Sequence, residues 1–294
     1  MQALAEIQDA VGRLADDVGP SVVGIGHRWA MGSGVVIAPG KVLTNAHNLR
    51  RDRVTVTFSD DRSADGTPLG VDIDGDLAVL EVDTGDVPAI EWGDGAPPLG
   101  APVFALANPG GRGLRVTFGM VSGTARTFRG PRGRRITGSL EHTAPLLPGS
   151  SGGPVVDADG RLLGINTNRL GEGFYLAIPA SAELKARAEG LGKGESPQPV
   201  RLGIGIAPPH VVRRLRRAVG LPEVDGLLVR EVEDGSAAAD AGLEQGDLIT
   251  HAEGRELSSF DALHEVLGAK KPGDALELSV LRGTEERTVS VTLR

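Results

Sequence analysis

Apolar positions recur at helical spacing in the first part of the chain. One stripe within residues 3–18 has its members three or four residues apart, at Leu4, Ile7, Val11, Leu14 and Val18. This spacing predicts an amphipathic helix, and Pro20 ends it because proline lacks the backbone N–H that a continuing helix needs. The stripe fits either packing on the chain's own domain or a contact between subunits in a small bundle.

From Ser21 to about Pro179 the pattern changes to short runs rich in Val, Ile and Leu. The predicted strands are Ser21–Gly26, Ser33–Ile37, Lys41–Thr44, Arg53–Phe58, Leu77–Val82, Pro102–Ala107, Arg115–Thr124, Pro154–Asp157, Arg161–Asn166 and Phe174–Ile178. Turn signals stand between them at Ala38-Pro39-Gly40, Asp65-Gly66, Asn108-Pro109-Gly110 and Asp159-Gly160. About ten closely spaced strands predict a mainly β domain of one or two antiparallel barrels.

A short helix and a linker separate this region from a second module. Residues 180–192 predict a helix that a glycine ends, and residues 193–200 are polar with two prolines, which is typical of a linker. The expected organisation is a helix over 1–19, a β domain over 20–192, a linker over 193–200 and a module over 201–294.

The C-terminal module mixes strands and helices. The predicted strands are Leu202–Ile206, Gly226–Val232, Asp247–Ala252, Ala275–Arg282 and Glu286–Leu293, and the predicted helices are Pro209–Val219, Ala237–Gly242 and Ser259–Gly268. Ser258 or Ser259 caps the last helix. The arginines of the first helix are expected on a solvated face, at Arg213, Arg214, Arg216 and Arg217. This order of elements predicts a small α+β domain.

Composition narrows the class of protein. A length of 294 residues suits about two domains, and a hydrophobic content of 40% is typical of a soluble globular protein. The net charge of −8 argues against a general nucleic-acid-binding function, which needs a basic face. The absence of cysteine excludes disulfides, a cysteine nucleophile and thiolate metal ligands.

The sequence predicts neither a membrane span nor a leader. It contains no run of about 18 apolar residues. Residues 1–19 lack a basic start and an uninterrupted apolar core, so they do not match a secretory signal. The expected location is the cytoplasm, or an extracytoplasmic compartment (periplasmic or secreted) if a leader has been removed.

The stretch Leu147–Pro154 holds the main candidate for chemistry. Ser151 lies among glycines that let the backbone turn tightly and leave its hydroxyl uncovered. The N–H groups of Gly149 and Ser151 could point at one oxygen, as the donors of an oxyanion hole do. A serine nucleophile also needs a base and an acid that orients the base.

Among six histidines, His47 has the most suitable context, at the end of an apolar strand. Asp76 immediately precedes the apolar run Leu77–Leu80, where a carboxylate is drawn to the edge of the core and can fix the imidazole tautomer. Asp72 and Asp74 compete for this role, but their more polar, turn-like context predicts that they are solvated.

The order His47, Asp76, Ser151 is that of chymotrypsin-like proteases, and the surrounding motifs resemble the HtrA (Deg) family of serine proteases. These motifs are Thr44-Asn45-Ala46-His47, Asp76-Leu77-Ala78-Val79-Leu80 and Pro148-Gly149-Ser150-Ser151-Gly152-Gly153-Pro154. In the C-terminal module, residues 242–249 (GLEQGDLI) resemble the recurring motif of a PDZ domain. The resemblance covers the chain from about Gly19 to Arg294. It implies a chymotrypsin-like double β-barrel followed by a small α+β PDZ domain.

The resemblance also implies an activity. The chain would be a serine endopeptidase that cleaves unfolded or misfolded proteins in protein quality control. Ser151 would be the nucleophile, His47 the base and Asp76 the orienting acid, with the N–H groups of Gly149 and Ser151 as the oxyanion hole. Neither a metal nor an organic cofactor would be needed. Relatives form trimers, so a homotrimer is expected, with no nucleic acid as a partner.

Substrate-binding residues follow from the same resemblance. Pro145, six positions before the serine, would form the base of the specificity pocket. With Leu147 beside it and no acid nearby, the pocket would favour small or medium aliphatic side chains. Ile165, Asn166 and Thr167 would pair with the substrate backbone as an added strand.

The PDZ-like module is expected to bind C-terminal peptides. Its carboxylate-binding loop would contain Leu202, Gly203 and Ile204, whose backbone N–H groups would hold the peptide carboxylate. The facing helix would contribute the pocket candidates Phe260, Leu263 and Leu267. These three side chains also fit a purely structural role in the core.

Some positions depart from the family pattern. Asn48 replaces the usual apolar residue after the histidine, Thr143 stands where Asp is frequent, and Leu147 and Ser150 stand where Asn is frequent. Two other functions therefore stay open. One is a non-catalytic chaperone or peptide-binding scaffold that retains the protease fold, and the other is a different serine-dependent acyl transfer such as ester hydrolysis.

Overall fold

The structure is a computed structural model. It describes residues 2–26, 31–49, 53–93, 97–129, 135–169, 173–197, 200–207, 209–218, 220–221 and 224–294. The chain divides into two compact units, Met1–Pro197 and Gln198–Arg294. In the described part of the chain, no helix has the length and apolar content needed to cross a membrane.

Helix α1 (Gln2–Asp17) forms where the apolar stripe predicts it. Its C-terminal half packs on the core of the first unit, where Ala10 and Leu14 are buried together with Val18, just beyond the helix. Leu4, near the other end, is 72% exposed. The stripe is thus divided, because one half packs on the chain's own domain and the other leaves a large apolar side chain uncovered.

Six antiparallel strands close into the first barrel. They are β1 (Val22–Ile25), β2 (Gly32–Ala38), β3 (Lys41–Thr44), β4 (Val54–Thr57), β5 (Ser63–Asp72) and β6 (Leu77–Glu81). Their order is β1-β2-β3-β6-β5-β4, and β4 pairs back with β1. Branched aliphatic side chains fill its interior, including Val23, Val36 and Val42, which are fully buried.

Six further strands close into the second barrel. They are β7 (Pro102–Ala107), β8 (Arg115–Arg129), β9 (Arg135–His142), β10 (Pro154–Val156), β11 (Leu162–Arg169) and β12 (Tyr175–Pro179). Their order is β10-β11-β12-β9-β8-β7, and β7 pairs back with β10. Helix α2 (Ala182–Leu191) follows, with Ser181 as its N-cap, and adds Leu184 and Leu191 to a core shared by both barrels. The double β-barrel expected from the sequence is confirmed.

Two strands of the barrels, β5 and β9, do not stand out in the sequence pattern. Asp65-Gly66 predicts a turn, but these residues lie inside β5, where Gly66 pairs with Val54. A Cβ atom on Gly66 would lie 2.9 Å from the Val56 side chain, so this glycine allows close packing in the barrel and does not form a turn. β9 escapes prediction because its buried positions carry polar side chains, as described below for His142.

The second unit is a sheet covered by three helices. Its strands are β13 (Ile204–Ala207), β14 (Leu227–Val232), β15 (Leu248–Ala252), β16 (Arg255–Glu256), β17 (Ala275–Arg282) and β18 (Glu285–Thr292), and its helices are α3 (Pro209–Ala218), α4 (Ala237–Asp240) and α5 (Phe260–Gly268). The strand order is β13-β14-β15-β17-β18, with β16 paired to β15. Ser259 caps α5 by accepting the Ala262 N–H. β13 is an edge strand that pairs only with β14 in the described part of the chain.

Three charged side chains, Asp247, Arg282 and Arg216, tie this unit together. The fully buried carboxylate of Asp247 accepts two hydrogen bonds from Arg282, at 2.7 and 2.9 Å. Burial is the largest single influence and opposes ionisation of Asp247, but the hydrogen bonds from Arg282 and from the Glu244 N–H, together with the nearby arginine charges, hold the pKa of this carboxyl below its usual value. On α3, Arg216 is buried and its guanidinium donates to the Gly283 carbonyl at 3.4 Å. The prediction that all four arginines of this helix are solvated is therefore wrong for Arg216.

A buried histidine lies in the wall of the second barrel. His142, at the end of β9, stacks on Tyr175 of β12 with ring centroids 5.9 Å apart. Its Nε2 lies 2.9 Å from Asn166 Oδ1, whereas its Nδ1 has no hydrogen-bond partner among the described residues. Burial removes water from the ring and lowers the pKa of His142 to about 4, although the bond to Asn166 acts in the opposite direction.

We expect acidification from pH 7 to pH 5 to destabilise the chain through His142. Because its folded-state pKa of about 4 lies below the ordinary value of 6.5, the unfolded chain binds more protons between these values, and stability falls as pH drops through 6.5. Protonation of this residue alone should lower the free energy of unfolding by about 2 kcal/mol between pH 7 and pH 5. Urea unfolding of the wild type and of His142→Gln, which keeps a donor but does not titrate, measures the difference.

His264→Gln, on the exposed side of α5, is the matched control and should keep the pH dependence of the wild type. An equally steep loss of stability in His142→Gln would contradict the assignment of this loss to His142.

Candidate active site

His47 and Asp76 meet at the edge of the first barrel. β3 ends at Thr44 and a short 3-10 turn over Ala46–Asn48 follows, while Asp76 directly precedes β6. β3 and β6 are antiparallel neighbours with Thr44 opposite Ala78, so the turn and Asp76 lie side by side. His47 Nδ1 lies 2.9 Å from both carboxylate oxygens of Asp76, and the His47 backbone N–H donates to Oδ1 at 3.1 Å.

The carboxylate of Asp76 is buried, and both of its oxygens have hydrogen-bond partners. It is 1% exposed and accepts a further hydrogen bond from Thr167 Oγ1 at 2.7 Å. The backbone of Asp76 has a φ of 55°, in the left-handed region that few non-glycine residues adopt, and Asn45 Nδ2 holds this turn by donating to the Asp76 carbonyl at 2.9 Å. A carboxylate against Nδ1 places the proton of the neutral ring on that nitrogen. Nε2 of His47 is then free to accept one.

Asp72, the competing carboxylate, is also buried, so the expectation that it is solvated is wrong. It is 6% exposed and accepts hydrogen bonds from the Gly75 N–H at 2.8 Å and from the Arg187 guanidinium at 3.2 Å. The arginine lies on α2, which comes back against the first barrel. Asp72 therefore has a structural partner of its own and is not bonded to a histidine.

Ser151 comes from the second barrel. It lies on the loop between β9 and β10, residues 143–153, which is called the serine loop below. Its Oγ donates to the backbone carbonyl of Thr167 at 3.1 Å. Within the described residues, this hydroxyl makes no hydrogen bond with His47. Thr167 thus links Asp76 to Ser151, because its hydroxyl donates to the Asp76 carboxylate and its carbonyl accepts from Ser151 Oγ. His47 joins this chain of hydrogen bonds through Asp76.

The candidate oxyanion hole is open. Gly149 has a φ of 90°, which glycine adopts without strain. The N–H groups of Gly149 and Ser151 take part in no hydrogen bond within the described part of the chain. Two such donors two residues apart can hold a developing negative charge on oxygen.

Ser33 holds the other side of this loop, and it is a residue that sequence reasoning missed. Its Oγ donates to the Gly149 carbonyl and its N–H donates to the Ser151 carbonyl, both at 2.8 Å. Ser33 lies on β2 and is fully buried. The signal in the sequence is a single hydroxyl side chain in a strand otherwise built of glycine and aliphatic residues.

Pro145 and Leu147 line a cavity of about 370 Å³ together with Ser150. The rest of its lining comes from β7, from the start of β8 with the preceding Leu114, and from Leu146, and it is mostly apolar, with Ala105, Ala107, Leu114 and Val116 among the residues. Among the described residues, no acidic side chain lines the cavity, and neither does His47, Asp76 or Ser151. The cavity therefore borders the serine loop at Pro145, Leu147 and Ser150, the residue before Ser151.

Ile165 and Asn166 do not offer their backbone to a substrate strand, which corrects the expectation from the sequence. β11 is flanked by β10 and β12, and Ile165 is fully buried between them. The Asn166 N–H donates to the Gly153 carbonyl at 2.9 Å, and the Asn166 carbonyl accepts the Gly152 N–H at 2.7 Å. Asn166 Nδ2 donates to the same Gly153 carbonyl at 3.1 Å. Asn166 thus supports the serine loop from within the barrel.

The candidate peptide-binding residues of the second unit differ in exposure. Three of them are buried in its hydrophobic core: Leu202, Leu263 and Leu267. Ile204 and Phe260 are half-buried, and Gly203 has a φ of 75°, which favours glycine. The partly accessible side chains are thus Ile204, on edge strand β13, and Phe260, at the start of α5. The three buried leucines belong to the hydrophobic core of this unit.

Comparison with known proteins bears on both units. Residues 32–165 match the family model of the trypsin-like peptidase domain, and residues 200–293 match that of the PDZ domain. A probable periplasmic serine endoprotease, DegP-like, from Halomonas elongata is 33% identical over 274 residues. The match covers 90% of this chain and 56% of the relative, so the chain spans a little more than half the length of that protein.

Two solved structures extend the similarity to the whole fold. A serine endoprotease from Yersinia pestis is 26% identical with a TM-score of 0.68, covering 96% of this chain and 97% of that one. An HtrA-type protease, AlgW, solved with a decapeptide, is 25% identical with a TM-score of 0.70, covering 96% and 98%. With two closed barrels, a His47–Asp76 pair beside Ser151 and a PDZ module after them, the chain belongs to the HtrA family of serine proteases.

Proposed function

We propose that this chain is a serine endopeptidase that cleaves unfolded or misfolded proteins, with residues 20–192 as the protease domain and residues 201–294 as the PDZ domain. The observation that carries this proposal is the buried carboxylate of Asp76. It is bonded to His47 Nδ1 and, through Thr167, linked to Ser151. A surface ion pair would need neither this burial nor this third partner.

The proposed reaction is acyl transfer through Ser151. Ser151 Oγ attacks the peptide carbonyl while His47 Nε2 takes its proton, and Asp76 stabilises the imidazolium that forms. His47 then gives the proton to the leaving amine, and water releases the acyl group by the same route. The N–H groups of Gly149 and Ser151 hold the oxyanion, and each such donor contributes about 3–4 kcal/mol.

The resting hydroxyl has to turn before this reaction. Ser151 Oγ donates to the Thr167 carbonyl at 3.1 Å, so its proton is directed away from His47. We expect rotation about the Cα–Cβ bond of Ser151 to turn Oγ from the Thr167 carbonyl towards His47 Nε2, since hydrogen bonds of resting active sites commonly tighten only when substrate is bound.

Substrate selection would involve both units. The segment Pro145–Leu147 carries no acidic side chain, which supports a preference for aliphatic residues before the cut. In the second unit, the free edge of β13 supports binding of an extended peptide as an added strand, with its terminal carboxylate near Leu202–Ile204. The decapeptide in the AlgW structure is a peptide ligand of a similar protein.

One observation favours a second candidate function, that of a non-catalytic chaperone or peptide-binding scaffold. The bond from Ser151 to Thr167 takes the place of one to His47. A protein that only binds unfolded chains would have no need to break it. The full set of hydrogen bonds around Asp76 argues for the enzyme, since binding alone would not require them.

Two features of the cell biology complete the proposal. The chain is proposed to form a homotrimer, as its resemblance to the HtrA family implies, and the exposed large apolar side chains of the first unit, such as Leu4, Phe118 and Met120, support a contact between subunits. An extracytoplasmic location is supported by the DegP-like relative, whose name describes it as periplasmic. Recovery of the chain only from the cytoplasmic fraction of its own cells would contradict this location.

We expect the chain to degrade casein and to react with a fluorophosphonate, and Ser151→Ala to lose both activities. The loss should be about 10³-fold or more, because the nucleophile itself is removed. Gel analysis of casein and in-gel fluorescence of the probe measure the two activities. Ser196→Ala, which removes a hydroxyl whose one partner among the described residues is the Val71 N–H, is the matched control. A wild type that neither cleaves nor reacts, even with PDZ-binding peptides added, would exclude the enzyme.

We expect the second unit to bind peptides through a free terminal carboxylate. A peptide with an aliphatic last residue should bind at least about 10-fold more tightly as the free acid than as the C-terminal amide, because backbone N–H groups pair better with a charged acceptor. Fluorescence anisotropy with the full chain gives both affinities. Equal affinities would show that the carboxylate is not recognised.

We expect the wild type to sediment with the mass of three chains and Leu4→Asp to dissociate at lower protein concentrations. Leu4 is 72% exposed on α1, so an aspartate there would not disturb the core but would place a charge in an apolar contact. Sedimentation equilibrium measures both masses. Gln2→Glu, an added charge on the same helix, is the control, and a monomeric wild type would contradict the trimer.

A further inference from the structure

Asn48 lies where the candidate base and the candidate nucleophile approach each other. It directly follows His47 and ends the 3-10 turn Ala46–Asn48. Its Nδ2 donates to Thr44 Oγ1 at 2.9 Å and to the backbone carbonyl of Ser151 at 3.0 Å. Both hydrogens of the side-chain amide are thus used. One hydrogen bonds to Thr44, at the end of β3, and the other bonds to the backbone carbonyl of Ser151 in the second barrel.

The carbonyl that Asn48 holds decides the direction of the Ser151 side chain. The peptide group between Ser151 and Gly152 is fixed at its oxygen by Asn48 and by the Ser33 N–H, and at its nitrogen by the Asn166 carbonyl. The preceding peptide group is held by the Gly153 N–H, which donates to the Ser150 carbonyl at 3.0 Å. With both flanking peptide planes fixed, the Cα–Cβ bond of Ser151 has one orientation.

The space around the Asn48 amide is provided by two glycines. A side chain at Gly32 would overlap the Asn48 amide, and a side chain at Gly152 would meet its Nδ2 at 3.1 Å. The amide is therefore confined on both sides. An apolar side chain of similar size would fill this space but would leave the Ser151 carbonyl with one donor fewer.

We infer that Asn48 is a positioning residue for Ser151, which couples the turn that carries the base to the peptide group of the nucleophile. The inference rests on the proposed function, since it assigns a role in the same site. Asn48 does not touch the reacting atoms. It acts through the Ser151 carbonyl, so its loss should misdirect the nucleophile and leave substrate binding intact.

Two substitutions distinguish hydrogen-bond donation from simple filling of space. Asn48→Val removes the donor and keeps most of the volume. Asn48→Asp keeps the shape of the side chain but places a negatively charged acceptor against the Ser151 carbonyl. If Asn48 acts as a donor, Asn48→Val should lower kcat about 10-fold with KM unchanged, and Asn48→Asp should lower it further. If Asn48 only fills space, the variant that keeps its shape should be the more active of the two.

The experiment combines steady-state hydrolysis of an unfolded substrate with the rate of fluorophosphonate labelling, which reports the nucleophile without any protein substrate. Labelling should fall in parallel with kcat. Val54→Ala, a truncation in the core of the first barrel, lowers the melting temperature without a link to the serine loop and should keep kcat within about twofold. Unchanged labelling and kcat in Asn48→Val, or a loss matched by the fraction unfolded, would overturn the inference. A wild type that labels but does not cleave protein would contradict the proposed substrate and still test Asn48 through labelling.

Discussion

The buried carboxylate of Asp76 is the group on which the site depends. A charge without water around it is stable only when hydrogen-bond donors surround it, and here the donors come from both barrels. His47 supplies its ring and its backbone N–H from the first barrel, and Thr167 supplies its hydroxyl from the second. The hydrogen bonds that satisfy this one carboxylate therefore join the two barrels next to Ser151, whose hydroxyl donates to the Thr167 carbonyl.

The serine loop is also held by hydrogen bonds between the two barrels, but here the donors come from the first barrel and the acceptors from the second. It belongs to the second barrel, but the carbonyl groups of Gly149 and Ser151 find their donors on Ser33 and Asn48 of the first. The N–H groups of Gly149 and Ser151 take part in no hydrogen bond within the described residues. The proposed acyl transfer needs donors that are fixed before the charge on oxygen appears, and the N–H groups of Gly149 and Ser151 are the ones proposed for that role.

Sequence reasoning succeeded where a local pattern decides the structure. Aliphatic runs between turn signals predicted most strands, and the helical stripe predicted α1, because burial of alternate or every third to fourth residue depends on neighbours along the chain. Sequence reasoning failed where a partner on another strand or helix decides whether a residue is buried or lies in a strand. Gly66 forms part of a strand because the barrel is too tight for a side chain, and Asp72 is buried because Arg187 on α2 meets it. β9 escaped prediction because its inward polar groups, such as His142, are accommodated by partners on β11 and β12.

For the site, the sequence by itself determined which residue types are present, in which order, and that His47 follows a strand while Asp76 precedes one. It could not decide that Asn166 turns inward to support the serine loop, that Thr167 bridges Asp76 and Ser151, or that Ser33 and Asn48 hold the carbonyl groups of Gly149 and Ser151. Each of these contacts joins residues far apart in the chain. Only closure of the two barrels against each other decides which donor reaches which acceptor.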